Sequence, residues 1–380
     1  SRIFISEDAD ITLTKQDAEL NIVSDDILNA WVVAGGLKTG SASGAGIGFI
    51  DVETTRHSVN DVGGDILLHN ADQNIAITSA LNGGIIGGAV SIGVGTPSEG
   101  KKDARIEGQG SIVLLDINDQ VKSLFSGNLL NSSTTTTYDV ESVKVLAQSN
   151  TGYDTAAGAL TVSLGAKGGA GFAGSVNIAD IDTKIEASID GSDISSTLNG
   201  GDVYVYGVNT SKINQYTVAA TVAGSGSFAA LSGSFNTLND NTSVKSSVKN
   251  SNFNNGGTTN NSGSLYLRSL DVDAFDFNTN KLDTEDLVIR SNLMLVGGVA
   301  IGGKVAVGAS VNTYNAKKTI EATLVNSDLT ISGQVLVDSV KKEETEAVVV
   351  AGGVGGKVGI SGAVSIYNAG STLSSTIDGT

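Results

Sequence analysis

Three sets of residues in this chain have types and spacings that chemistry uses. The first is GGVAIGGKV, Gly297 to Val305, where Gly298, Gly303 and Lys304 satisfy the spacing G-x-x-x-x-G-K of a phosphate-binding loop. Such a loop cradles phosphates with backbone N–H groups and needs a hydroxyl after the Lys to hold Mg²⁺. That position is Val305, and the flanking sequence is strand-like on both sides rather than strand then helix. The second set is the carboxylates of LDVDAFD, Asp271, Asp273 and Asp276, together with Asp180 and Asp182. Residues i and i+2 share a face of a strand, so Asp271 and Asp273 could jointly hold Ca²⁺ or act as acid and base on a polysaccharide. No Arg or Lys cluster accompanies them in sequence, and the Ca²⁺-binding nonapeptide of toxin β-rolls is absent. They read as a solvated outer face and stand only as weak Ca²⁺ candidates. The third set is His57 and His69, the only histidines, neither with a G-x-S-x-G partner for a nucleophilic triad. Both are expected at the surface. No catalytic residue, cofactor or metal site is assigned, and the expectation is a protein that is not an enzyme.

The elements that carry these residues are repeats. GGKVAVGASVNTYNAKKTIEATL (302–324) aligns without gaps on GGKVGISGAVSIYNAGSTLSSTI (355–377), at an offset of 53. SVNIADIDTKIEASI (175–189) and SFNTLNDNTSVKSSV (234–248) follow the same outline, GGAVSIGVGTPSEGKKDARI (87–106) reads as a further copy, and GAGIGFIDVETTRHSV (44–59) as a degenerate sixth. A second element, Gly and a polar residue before an apolar-x-apolar triplet, begins at Gly64, Gly110, Gly201, Gly263 and Gly333. Both elements alternate with a period of two, the strand period, and Asn, Gly, Asp and Ser clusters suited to tight turns separate them. Lys304 falls on Lys357 of the last copy, so the near-phosphate loop is one edge of a repeated strand, with its Lys facing solvent.

Composition narrows the fold. The 380 residues include 49 Gly, 1 Pro, no Cys and 5% aromatics, yet 40% are hydrophobic. That is too apolar for disorder and too poor in large side chains for an ordinary globular core. A propeller needs near-constant blades and a sandwich needs larger core residues. Small and β-branched residues stacked in register, with turns that absorb insertions, predict an all-β fold: a right-handed parallel β-helix, a solenoid forming an elongated rod from irregular repeats. At roughly 20 residues per coil the chain would make about 18 coils and a rod on the order of 85 Å long, with about three coils to each repeat. One continuous segment, 1–380, is expected, with units near 31–70, 71–150, 151–214, 215–284, 285–344 and 345–380. The start at Ser1-Arg2-Ile3 and the end at Asp378-Gly379-Thr380 suggest a piece excised from a longer protein.

The Gly/Ala strand followed by S-V-N-x-x-x-x-x-T-x-I-x-A-x-I/L, best kept at 175–189 and 310–324, resembles the large filamentous adhesins and leukotoxin-type exoproteins of Gram-negative bacteria, secreted by two-partner or autotransporter (type V) routes. The resemblance covers most of the chain from about Trp31. It implies a β-helix stem displayed outside the cell, secreted or associated with the outer membrane, and no catalytic residue.

A net charge of −17 disfavours nucleic acid and anionic membrane surfaces as partners, and no apolar run spans a membrane. The expected function is a non-enzymatic adhesive or structural stem whose partners are a host-cell surface protein, a glycan, or further copies of itself. Alternatives are a polysaccharide-binding or polysaccharide-cleaving β-helix, and the scaffold region of a leukotoxin-like exoprotein. In the second element the middle triplet residue should point outward, which would align Leu67, Val113, Tyr204, Tyr266 and Leu336, with Tyr206, as an exposed interaction stripe.

Overall fold

The computed structural model describes residues 1–40, 43–96, 105–131, 140–164, 168–194, 201–254, 263–275, 289–331 and 333–379. Among them the chain is all-β, without a helix, and every strand pairing is parallel. Accordingly, no helix is long and apolar enough to cross a membrane.

The architecture is a parallel β-helix. Sheet I stacks seven strands: β1 (Arg2–Ile5), β4 (Gly44–Val62), β7 (Ile106–Phe125), β10 (Ala170–Asp190), β13 (Ala229–Lys249), β17 (Val305–Val325) and β21 (Val358–Asp378). Sheet II faces it. It runs through β3 (Glu19–Gly40), β6 (Gln73–Gly95) and the long β9 (Val140–Ser163). In later coils each sheet II strand is split in two: β11 (Asp202–Asn209) with β12 (Lys212–Ala223), β15 (Leu265–Asp271) with β16 (Arg290–Gly302), and β19 (Val335–Lys341) with β20 (Glu343–Val354). Short strands β2 (Asp10–Leu13), β5 (Asp65–Leu68) and β8 (Leu129–Asn131), then β14 (Asn252–Asn254) and β18 (Asp328–Thr330), close one end as a third wall.

Each repeat is therefore one coil rather than three. Gly48, Ser111, Ser175, Ser234, Ser310 and Ala363 occupy a single column of sheet I, 63, 64, 59, 76 and 53 residues apart. Seven rungs make a stack on the order of 30 Å tall, while a strand of 21 residues runs about 70 Å. The coils are few and wide because strands of some twenty residues replace the short ones of a 20-residue coil.

The copies at 175, 234, 310 and 44–59 do lie on sheet I. The segment 87–106 does not: Ala89 to Gly95 belongs to β6 of sheet II, and the coil's copy is SIVLLDINDQVKSLF, starting at Ser111. Ile112, Val113 and Asp119 stand where the copies at 175 and 234 have Val or Phe, Asn and Thr, which hid it. Unit boundaries near 151 and 215 fall inside β9 and β12, and the chain turns instead where sheet II hands over to sheet I, just before residues 170, 229, 305 and 358.

The interior changes character along each coil. At the three-walled end the inward side chains are large and apolar, among them Val62, Ile66, Phe125, Val143, Ile189 and Phe253. Toward the other end only two walls remain, and inward positions hold Ala, Gly, Ser, Thr and Asn. The Ser hydroxyls cross the gap: Ser310 Oγ donates to the Val350 carbonyl at 2.6 Å, and Ser175 and Ser234 likewise to Val218 and Gly297. A Cβ on Gly308 would come within 2.0 Å of the Gly352 carbonyl oxygen. The walls are in backbone contact there, which fixes position 308 as Gly.

Candidate functional site

The strongest convergence of chemical groups lies inside the coil, where the split strands of sheet II break. Asp271 ends β15, Arg290 begins β16 and Glu343 begins β20, while Asp240 and Lys318 point inward from β13 and β17. Lys318 Nζ lies 2.9 Å from Asp240, 3.3 Å from Asp271 and 2.7 Å from Glu343. The Arg290 guanidinium reaches Glu343 at 2.6 Å and Asp271 at 3.3 Å. Neutral donors complete the carboxylates' hydrogen bonds: Asn209 to Asp271 at 2.8 Å, Thr242 to Asp240 at 2.6 Å and Asn292 to Glu343 at 2.7 Å.

Three carboxylates share two fully buried cations, Arg290 and Lys318, and the partly exposed Lys341 beside Glu343. Burial lifts the Asp271 carboxyl to about 6, opposed by Arg290 and reinforced by Glu343 and Asp240. Burial also raises Asp240. At Glu343 burial is outweighed by Arg290 and by Lys341, 3.0 Å away, so this carboxyl is held below its usual value. Burial opposes charge on Arg290, yet Asp271, Glu343 and Asp240 more than compensate and hold it above its usual value.

A second buried ion pair occupies the earlier coils. Arg56 donates to both carboxylate oxygens of Asp119, and the Tyr153 hydroxyl donates to Asp119 at 2.7 Å. Arg56, Asp119 and Lys318 share one column of sheet I, with Thr183 and Thr242 between them. These groups neutralise one another in a buried interior, as the members of a polar core do. The sequence held a sign of this: Lys318 has the same parity as Ala316 and Ile320, an inward phase in which a charge requires a partner.

Most of the residues singled out from sequence lie elsewhere. Asp271 and Asp273 do not form a pair: the first is buried between Arg290 and Lys318, while the second lies beyond the end of β15 and bridges to Lys212 at 2.6 Å. The shared face is lost because the strand ends at Asp271. Asp276 is outside the described residues. Asp182 faces out beside Lys184 at 3.3 Å. No group of three or more metal-ligating side chains occurs among the described residues. His57 and His69 are exposed, with His57 Nδ1 3.0 Å from Gln120.

The phosphate-loop pattern divides between the end of β16, a bend at Gly303 and Lys304, and the start of β17. Its backbone donors serve the stack, Lys304 N–H donating to the Ser227 carbonyl at 3.0 Å and Lys357 N–H to the Lys304 carbonyl at 3.0 Å. The Lys304 side chain is exposed.

The tyrosine column exists but is not an exposed stripe. Tyr204, Tyr266 and Leu336 stack in one register, with Tyr204 and Tyr266 rings 5.1 Å apart. Yet Tyr204, Tyr206 and Tyr266 are only 4%, 3% and 8% exposed. They form an apolar cluster on the outside of sheet II with Leu146, Val272 and Phe275, whose ring meets Tyr206 edge-on at 5.5 Å. Burial holds the Tyr206 hydroxyl above its usual pKa. Val113 points inward at 0% exposure, and Leu67 lies on β5 of the third wall, outside the column.

On the outer face of sheet I a shallow depression of about 630 Å³ is lined by Asp180, Asn239, Asn241, Asn315, Lys317 and Asn368. Its amides form a ladder: Asn239 donates to Asp180, Asn315 to Asn239 at 2.8 Å and Asn368 to Asn315 at 3.0 Å. No family model, curated protein or solved structure matches this chain.

Proposed function

We propose that this chain is a non-enzymatic stem segment of a large secreted or surface-displayed adhesin of the type V kind, carrying attachment regions away from a bacterial cell. The observation that supports this best is the unbroken stacking of sheets I and II from coil to coil. Such a stack lengthens by adding coils, each stabilised mainly by its neighbours. The converging charges are sealed and mutually neutralised, so they serve the stem. A net charge of −17 keeps such stems soluble, and a chain without cysteine can cross an oxidising compartment without trapping disulfides. The test is to apply the purified chain to host-cell monolayers and to a polysaccharide panel, measuring retention and newly released sugar ends together. Retention without release is expected; released sugar ends would overturn the stem reading.

A second reading, polysaccharide binding, is favoured by the depression on sheet I. Its side-chain amides repeat across the strands, an arrangement suited to the hydroxyls of an extended glycan. Asn315→Ala with Asn368→Ala should then lower retention on the glycan it selects, read by the same panel.

A further inference from the structure

The half of sheet I nearest the two-walled end carries its large side chains on the outside. Phe49, Ile112, Val176, Phe235, Val311 and Val364 stack in one outward column, a ridge that crosses six strands. Phe49, Phe235 and Val364 are 53%, 40% and 51% exposed. Two residues earlier on each strand runs a furrow holding Gly110, Gly174, Gly233 and Gly362, with Ile47 and Ala309 in the same column. A Cβ built on Gly174, Gly233 or Gly362 would meet nothing within 4 Å. The far side of the furrow is a second apolar column that includes Phe172, Leu231 and Ile360. The column beyond the ridge carries a single charge, Asp51.

Sheet II differs. On its outer face Gly158 and Gly297 are flanked by Val90 at 3.8 Å and Val218 at 3.9 Å, while Gly88 and Gly152 are open but stand in different columns. The open glycines of sheet I, Gly174, Gly233 and Gly362, share one column beside the ridge.

We infer that a second copy of this chain packs on this face, with the ridge of each copy seated in the furrow of the other. A twofold axis along the stacking direction, midway between ridge and furrow, lays each ridge residue over the furrow residue two earlier in the same rung of its mate, and the outer columns over one another. Val176 then covers Gly174 of the partner subunit, and Phe235 covers Gly233 of the partner subunit. The contact is isologous, as a closed dimer requires, and it is a sheet-on-sheet packing with strands running in opposite directions. Four columns over six rungs cover about 750 Å² per copy, or about 1,500 Å² in all, within the range of stable interfaces. Since each copy carries −17, salt should tighten the dimer by screening repulsion. This surface is independent of the stem reading, and either can fail without the other.

Sedimentation of the full chain over a concentration series tests the inference. Dimers are expected, favoured by salt. Gly174→Phe with Gly233→Phe fills the furrow from outside and should weaken association by at least about tenfold, with circular dichroism and melting unchanged. Val218→Lys on sheet II should leave association as it was. The chain has no cysteine, so mixing a Val176→Cys copy with a Gly174→Cys copy should give a mixed disulfide more readily than either alone. A chain monomeric at every concentration would overturn the inference. So would a dimer that survives the filled furrow or is lost in Val218→Lys. Monomers that instead float with phosphatidylcholine vesicles through this face would overturn it as well.

Discussion

At the residue scale, the buried charges decide more than any surface group. Removing one cation from the cluster strands carboxylates that nothing else can neutralise: Lys318→Met should destabilise the chain by about 3–5 kcal/mol, read from the denaturant midpoint. Asp271 works in the opposite sense, because burial penalises its charged form more than its partners favour it. Its folded pKa of about 6 lies above the unfolded value of about 3.9. Between these values the folded chain holds a proton that the unfolded chain has released, so Asp271 makes stability fall as pH rises through that window. Compared with Asp271→Asn, the native chain should gain about 2 kcal/mol as pH is lowered from 6 to 4. Parallel denaturation series at several pH values check this; a constant gap between the two proteins would show that Asp271 titrates normally. Little of this cluster was legible in sequence. Asp240, Asp271, Arg290, Lys318 and Glu343 are spread over about a hundred residues, and only stacking of coils brings them together. Asp271 could be noticed as a carboxylate, but its partners come from three other strands.

At the scale of the element, the long strands invert the usual pattern along their length. Near the third wall large apolar side chains point in; near the two-walled end small and hydroxylated ones do, while Val, Ile and Phe point out. A period of two reveals strands but not which phase is inside, since both phases are apolar in a stretch such as VAVGASV. That ambiguity separates the outward place expected for Val113 from its inward one, and the repeat outline at 87–106 from the true copy beginning at Ser111. The glycines separate the two phases by experiment. Gly308→Leu forces a side chain against the Gly352 backbone and should cost about 3 kcal/mol or more. Gly152→Val adds a side chain where nothing lies within 4 Å and should change stability by less than about 0.5 kcal/mol. Between these extremes, Ser234→Ala removes one hydroxyl tie to sheet II and should cost about 1 kcal/mol. Thermal or chemical melting of the three variants ranks them; equal effects at Gly308 and Gly152 would mean the inward phase is misassigned.

At the scale of the whole molecule, the repeat offsets in the sequence already contained the coil, and only its size was misjudged. An offset of 53 between GGKVAVGASV and GGKVGISGAV is a full turn of the solenoid, because the two segments pair residue for residue as β17 and β21. If one coil is the true unit, removing one whole coil should leave the fold intact. Deleting 175–233 joins Gly174 to Ser234, which follows Gly233 in the same column as Gly174. The hybrid strand keeps its inward phase, and Asp240, Asp271, Arg290, Lys318 and Glu343 all remain. The shortened chain should give a native-like β spectrum, with its stacking dimension reduced by one strand spacing of about 4.8 Å in solution scattering. Its stability should fall by about the contribution of one repeat and one interface, as in other stacked repeats. Deleting the 20 residues 184–203 instead joins Thr183 of sheet I to Tyr204 of sheet II in mid-strand, so that chain should fail to fold. Were the coil only some 20 residues long, cuts of 20 and 59 residues would be tolerated alike, and comparing the two deletions decides between coil sizes.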